Sequence, residues 1–267
     1  MPLTRSRVKQ TIQPIDIEDL VVHETMTVPS WQPSFWRTQL DNITQMRALR
    51  NAPVDIMGCE RLAEKSADEK TFRLQVLLSL MLSSQTKDQV TAAAMQRLQL
   101  HGCTLDKLRS MKAEALEKLI YPVGFYKQKA KFIKRTCDIL KNDYGSDIPR
   151  TVNELCQLPG VGPKMAHLVM RCAWNEVTGI AVDTHVHRIV NRLRWTKKPT
   201  KNPEETRKEL ESWLPRYVCS CFNLDCKISP LLFVNSTTGF GVFAPTRWRE
   251  QGNFQQALKQ WIVGKQG

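Results

Sequence analysis

Lys164 and Asp183 are the two residues of this chain whose types and setting best suit covalent chemistry. Lys164 follows Gly162-Pro163 at the expected start of a helix, since proline is at home in a first helical turn. There the positive end of the helix dipole and a basic surrounding chain both disfavour an ammonium ion, so the amine is expected to give up its proton readily. A neutral lysine amine is the form that attacks an electrophilic carbon to make a Schiff base. Asp183, nineteen residues further on, opens another expected helix. Its carboxylate can cap that helix, and beside Lys164 it can also stabilise a cationic transition state and relay a proton. The two roles are compatible. Asp183, His185 and His187 alternate in a way that would converge on a metal from a strand, but on a helix residues two apart diverge, so packing and phosphate contact are expected of the histidines instead.

The segment that leads into Lys164 reads Leu155-x-x-Leu158-Pro159-Gly160-Val161-Gly162-Pro163-Lys164-x-Ala166. Two glycines permit a tight hairpin between short helices and let backbone come close to a partner, while the first N–H groups of the second helix point outward unpaired. That combination binds phosphate. A purely structural helix–helix turn is the competing reading.

These residues need elements to hold them, and the periodicity is helical throughout. Trp36, Leu40, Ile43 and Met46 or Leu49 recur at three- and four-residue spacings, and Leu74–Leu82 is apolar on every side, as suits a helix at the centre of a bundle. Thr86-Lys87-Asp88-Gln89 and Thr151 with Glu154 read as capping boxes, and Asn202-Pro203-Glu204-Glu205 opens a further helix. Tyr126, Ala130, Ile133, Cys137 and Leu140 form an apolar stripe opposed by Lys127, Lys129, Lys131, Lys134 and Arg135. That basic face could meet phosphate or simply be solvated. Strand-like alternation is absent, so the fold is expected to be all-α with roughly ten helices. The first thirty residues show little periodicity and are expected to form a mobile tail, whose basic start could also serve as a nuclear or mitochondrial address.

Composition agrees with a polyanionic partner. With 267 residues, 42% of them apolar, the chain can bury a sizeable core, and 39 basic against 26 acidic residues leave a net charge of +13. Arg188, Arg192, Arg194, Lys197, Lys198, Lys201, Arg207 and Lys208 concentrate much of that excess after His187, where several are expected to hold phosphates. No apolar run reaches the length of a membrane span; the longest, Val76–Leu82, is interrupted by Ser79. Eight cysteines spread from Cys59 to Cys226 with no secretory leader point to a reduced intracellular compartment.

The hairpin segment resembles the helix-hairpin-helix element of the endonuclease III family of DNA glycosylases. Gly179-Ile-Ala-Val-Asp183-Thr-His-Val-His187-Arg188 resembles the family's catalytic aspartate segment, and Leu82-Ser83-Ser84-Gln85-Thr86-Lys87-Asp88 and Pro122-Val-Gly124-Phe125-Tyr126 resemble two others in the family's order. The resemblance runs from about Pro29 to Arg216 and is nearest to the family's eukaryotic branch. It implies a six-helix barrel domain over 67–177, with the helix-hairpin-helix at 151–174, beside a second helical domain built from 31–66 and 178–216. Lys164 and Asp183 would then be catalytic, in a bifunctional glycosylase and abasic-site lyase acting on oxidised pyrimidines in duplex DNA. Contacts to DNA would come from Leu158, Gly160, Val161, Gly162, His185 and Arg188. Gln85 and Phe125 match the family's void-filling and wedge residues, against readings as a helix-terminal glutamine and a core phenylalanine. The resemblance further implies a monomer, located in the nucleus and also the mitochondrion, and a [4Fe–4S] cluster held by Cys-x6-Cys-x2-Cys-x5-Cys. After Arg216 the chain departs from that pattern. The tail 217–267 offers Cys219-x-Cys221-x4-Cys226 and then 41 residues without a cysteine, so no four-thiolate site is expected and no cofactor is supported. A non-catalytic DNA-binding form with the same hairpin is the alternative to the enzyme.

Overall fold

A computed structural model describes residues 31–46 and 53–215. Eleven α-helices are present among the described residues, with no strand, as an all-α reading requires: α1 Trp36–Met46, α2 Pro53–Met57, α3 Glu69–Ser83, α4 Asp88–Leu100, α5 Leu105–Ser110, α6 Ala113–Ile120, α7 Tyr126–Asp143, α8 Val152–Leu155, α9 Pro163–Trp174, α10 Thr184–Leu193 and α11 Pro203–Glu211. No helix among them is long and apolar enough to cross a membrane. The expected N-terminal tail over 1–30 and the segment 217–267 lie outside the described residues.

Two apolar clusters organise the chain. The first gathers around α3, whose Val76, Leu77, Leu78 and Leu82 are completely buried because every face of that helix meets a neighbour. Burying four such side chains contributes on the order of 8 kcal/mol before entropy is counted. α3 packs most extensively on α9, which turns Ala166, His167, Val169 and Met170 inward. α9, which carries Lys164 in its first turn, is therefore held against α3, whose residues Leu74 to Leu82 are all buried. Ala63 also belongs to this cluster.

The second cluster joins Trp36 and Ile43 of α1 to Ile180, Val182, Val186, Val190, Trp195, Leu210 and Trp213. Its aromatic residues are also tied by polar contacts, since Trp213 donates its indole N–H to the Trp195 carbonyl at 3.0 Å and packs edge-on against Trp36 at 5.4 Å. Val182 and Val186 flank Asp183 on either side, so burial of both fixes the start of α10.

Local signals explain several helix starts. Thr151 accepts the Glu154 N–H at 3.2 Å, Asn202 accepts that of Glu205 at 2.9 Å, and Pro163 occupies the first turn of α9. Thr86 does not behave as expected. The cap of α4 is Lys87 with no side-chain bond, and the Thr86 hydroxyl instead accepts the Gly124 N–H at 3.1 Å. A partner in another loop outcompetes the local cap. The basic face of α7 also needs correction, because Lys129 is only 6% exposed and Lys134 donates to the carbonyls of Leu108, Arg109 and Met111 at the end of α5. Orphan helix-end carbonyls draw these ammonium groups inward. Lys127, Lys131 and Arg135 remain exposed.

Candidate active site

The turn between α8 and α9 is built by anchoring its apolar residues and freeing its glycines. Leu158 and Val161 are buried in the first cluster, so the contribution they can make to a partner is backbone. Gly160 lies between them at φ 78°, where a Cβ would stand 2.6 Å from the Phe132 ring. Only glycine fits there without displacing that ring. Gly162 precedes α9 with no side-chain cap, and no heavy atom lies within 4 Å of where its Cβ would be. The opening N–H groups of α9 therefore have no side-chain cap at the positive end of the helix dipole.

Lys164 projects from this helix start and donates to Asp183 Oδ2 at 2.9 Å. Asp183 Oδ1 simultaneously accepts the N–H groups of His185 and Val186 at 2.9 and 2.8 Å, so the carboxylate caps α10 and pairs with the lysine at once. The pair is asymmetric in burial, with the lysine side chain 44% exposed and the aspartate 15%. Burial works to raise the Asp183 pKa, but the Lys164 charge and the Val186 N–H outweigh it and hold the carboxyl below the usual carboxylate range. The carboxylate is thus ionised at neutral pH and within reach of the Lys164 proton.

Sequence spacing places no other residue beside the pair, yet the structure supplies three neighbours. Asp88, in the first turn of α4, feels the Lys164 charge; burial raises its carboxyl pKa above the ordinary value, and Lys164 offsets only part of that rise. It is a second carboxylate near the amine. His167, one turn after Lys164, is buried and contacts the Thr178 hydroxyl at 3.0 Å through Nδ1. Burial and the Arg207 charge keep its pKa below the ordinary imidazole value. Glu211 of α11 accepts the Ile180 N–H at 2.8 Å and is paired with Arg207, which also grips Glu204. These contacts brace the segment that joins α9 to α10. Arg207 is consequently engaged within the fold and does not join the free basic surface. A helical amphipathic pattern gives each of these residues only a face, not a partner, so spacing alone could not reveal them.

The remaining expected site residues separate into exposed and engaged groups. Gln85 and Phe125 are both exposed, Phe125 to 68%, and both adopt left-handed backbone at φ 51° and 56°. Phe125 is therefore not a core phenylalanine. Arg188 is exposed, His185 is half-buried at the start of α10, and the His187 ring nitrogen contacts the Thr206 hydroxyl at 2.6 Å within the second cluster's polar fringe. No three His, Cys, Asp or Glu gather as a metal site among the described residues. Cys219, Cys221 and Cys226 lie outside them. Cys103 and Cys137 are buried, and burial pushes each thiol up to about 12, which makes them poor thiolate donors. Among the described residues the cysteines do not fit a four-thiolate iron–sulfur cluster.

The HhH-GPD superfamily base excision DNA repair protein family matches residues 78–216, a span that holds the hairpin, Lys164 and Asp183. The cattle protein Endonuclease III-like protein 1 is 61% identical over 200 residues, covering 75% of this chain and 66% of that protein. The Endonuclease III homolog of Schizosaccharomyces pombe is 46% identical over 187 residues, covering 69% of this chain and 52% of that one. Among solved structures, a trapped endonuclease III–DNA covalent intermediate superimposes with a TM-score of 0.60 at 30% identity, covering 71% of this chain and 81% of that one. The chain belongs to the HhH-GPD superfamily of base excision DNA repair proteins and, within it, to the endonuclease III family of DNA glycosylases in its eukaryotic form. It spans about two thirds of the length of the vertebrate relatives it matches, 66% for the cattle protein.

Proposed function

We propose that this chain is a bifunctional DNA N-glycosylase and abasic-site lyase that removes oxidised pyrimidines from duplex DNA. The observation that carries this reading is the Lys164–Asp183 pair at 2.9 Å, set at the end of a helix-hairpin-helix turn with uncapped backbone N–H groups. In the proposed reaction Asp183 takes a proton from Lys164, and the neutral amine attacks the sugar C1′. A C–N bond forms to lysine as the glycosidic bond breaks, and the base departs with its electron pair and is protonated. The sugar ring opens to an imine. Loss of the C2′ proton then expels the 3′ phosphate by β-elimination, and water releases the lysine. Asp183 would pass the proton taken from Lys164 on to the departing base and, ionised again, stabilise positive charge on the sugar, an interaction made chiefly in the transition state. A glycosylase that relied on activated water would not need an amine at this position. The similar solved structure is itself a trapped covalent intermediate with DNA, which supports the same chemistry here.

Double-stranded DNA carrying an oxidised pyrimidine or an abasic site is the corresponding partner. The exposed amine, the open hairpin backbone and the basic residues Arg188, Arg192 and Arg194 suit contact with phosphates at several points. Borohydride reduction with abasic duplex DNA tests the proposal, because only an imine-forming amine is captured. The native chain is expected to trap. Lys164→Gln is expected to lose trapping and strand cleavage completely while duplex affinity stays within about tenfold, since the hairpin backbone is untouched. Binding without trapping by the native chain would favour the non-catalytic DNA-binding alternative.

A further inference from the structure

Lys129 is the most deeply buried lysine among the described residues, and the reaction at Lys164 has no use for it. It sits on α7, 6% exposed, with its Nζ donating to the Leu82 carbonyl at 2.7 Å, the Ser84 carbonyl at 2.6 Å and the Thr86 hydroxyl at 3.2 Å. Three donors meet three oxygens, none of them a carboxylate. Burying an ammonium among neutral acceptors is costly, and burial pushes this amine down to about 8. A helix C-terminus partly offsets the cost, because the carbonyls of Leu82 and Ser84 close the end of α3.

A cap alone would need only the first two of those bonds. The third reaches Thr86 Oγ1, which also accepts the Gly124 N–H at 3.1 Å and donates to the Ser84 carbonyl at 3.1 Å. Both lone pairs and the proton of that hydroxyl are thereby used. The two turns are also in backbone contact, for a Cβ on Gly124 would lie 2.6 Å from the Gln85 carbonyl oxygen. From this joined base, Gln85 and Phe125 project outward with left-handed backbone that residues bearing a Cβ adopt only when their surroundings impose it. An exposed amide able to meet base edges stands on one turn, and an exposed ring able to stack stands on the other.

We propose that Lys129 is a positioning residue that clamps the Gln85 and Phe125 turns into a single rigid wedge, and so governs the opening of the base stack rather than the chemistry at Lys164. This rests on the glycosylase reading above. The clamp keeps both side chains in place before DNA arrives, so no ordering is left to be done when a base is extruded.

Lys129→Met removes the donors and keeps the apolar stem. On a duplex with a thymine glycol–adenine pair, single-turnover base release should fall by about tenfold or more, while strand cleavage at a preformed abasic site, which has no base to unstack, should stay within about threefold. Thr86→Val, which keeps shape and loses the hydroxyl, should split the two activities in the same direction. A chemistry-free readout uses 2-aminopurine in a mismatched duplex: its fluorescence rise on binding the native chain should shrink by about fivefold or more with Lys129→Met at nearly unchanged affinity. Equal loss of both activities, loss of neither, or an undiminished fluorescence rise would overturn the clamp. A native chain that fails to trap abasic DNA would overturn the enzyme reading instead, and the fluorescence comparison would still decide the role of Lys129.

Discussion

At Gly160 the chain reaches φ 78° through a glycine, whereas at Gln85 and Phe125 it reaches 51° and 56° through residues with full side chains. The hairpin turn buries its side chains, Leu158 and Val161, and leaves backbone at the surface. The paired turns do the reverse, with backbone groups locked by Lys129 and Thr86 and side chains exposed. Glycine serves at position 160 because a Cβ would run into the Phe132 ring, and at position 162 it leaves the start of α9 uncovered. A non-glycine residue in the same region of φ serves where the side chain must do the work, and its strain of about 1 kcal/mol is then sustained by the contacts beneath it.

The comparison breaks most visibly at the two hairpin glycines, which should fail in different ways. Gly162→Leu adds a side chain in open space at an extended φ of −107°, so thermal stability should barely change. Affinity for duplex DNA, damaged or not, should nevertheless fall by about tenfold or more, because the leucine blocks backbone approach to phosphate. A fluorescence-anisotropy titration beside a melting curve checks both. Gly160→Ala should lose about 2 kcal/mol of stability, through left-handed strain together with the displaced Phe132 ring. Denaturant midpoints measure that loss. If Gly162→Leu unfolded the protein while Gly160→Ala left it stable, the division between presenting backbone and supporting it would be wrong.

What could be read from the sequence was what stays local. The hairpin, Pro163, the Thr151 and Asn202 caps and the Asp183 cap each depend on residues within about four positions, a range over which propensity and spacing carry information. Lys164 and Asp183 are nineteen apart, yet their helix starts were legible separately, and the structure brings them together. Thr86 misled because its acceptor role is filled by a residue 38 positions away. Spacing puts Lys129 on a basic face open to phosphate or solvent for the same reason, since its acceptors lie 43 to 47 positions away. Periodicity places a lysine on a face, but the orphan carbonyls that draw it inward are a property of packing. The bracing of Ile180 by Glu211 belongs to the same class.

A smaller change sharpens the comparison at the side-chain-presenting turn. Gln85→Gly relieves left-handed strain but gives the unfolded chain more freedom, and the two effects nearly cancel, leaving stability within about 1 kcal/mol of native. Release of thymine glycol from a paired duplex should still slow by about tenfold, since the projecting amide is gone. Unchanged release would show that Gln85 is an incidental resident of its turn.

Asp183 combines both kinds of work, capping backbone with Oδ1 and reaching outward to Lys164 with Oδ2, and its substitution should have a modest, pH-dependent effect on stability. Asparagine preserves an acceptor for the helix cap but carries no charge to pair with the amine. Because the folded carboxyl is held below its ordinary value of 3.8, the stability it contributes is fully present above that pH and is lost as pH falls through the lower folded value. Native protein and Asp183→Asn should therefore differ most near neutral pH, and their melting temperatures should converge below about pH 4. The gap should be modest, as Lys164 is 44% exposed and water screens the pair. Base release should slow far more than stability changes, which separates the outward role from the cap. A melting gap that stayed constant with pH would assign the stabilising effect of Asp183 to the cap alone.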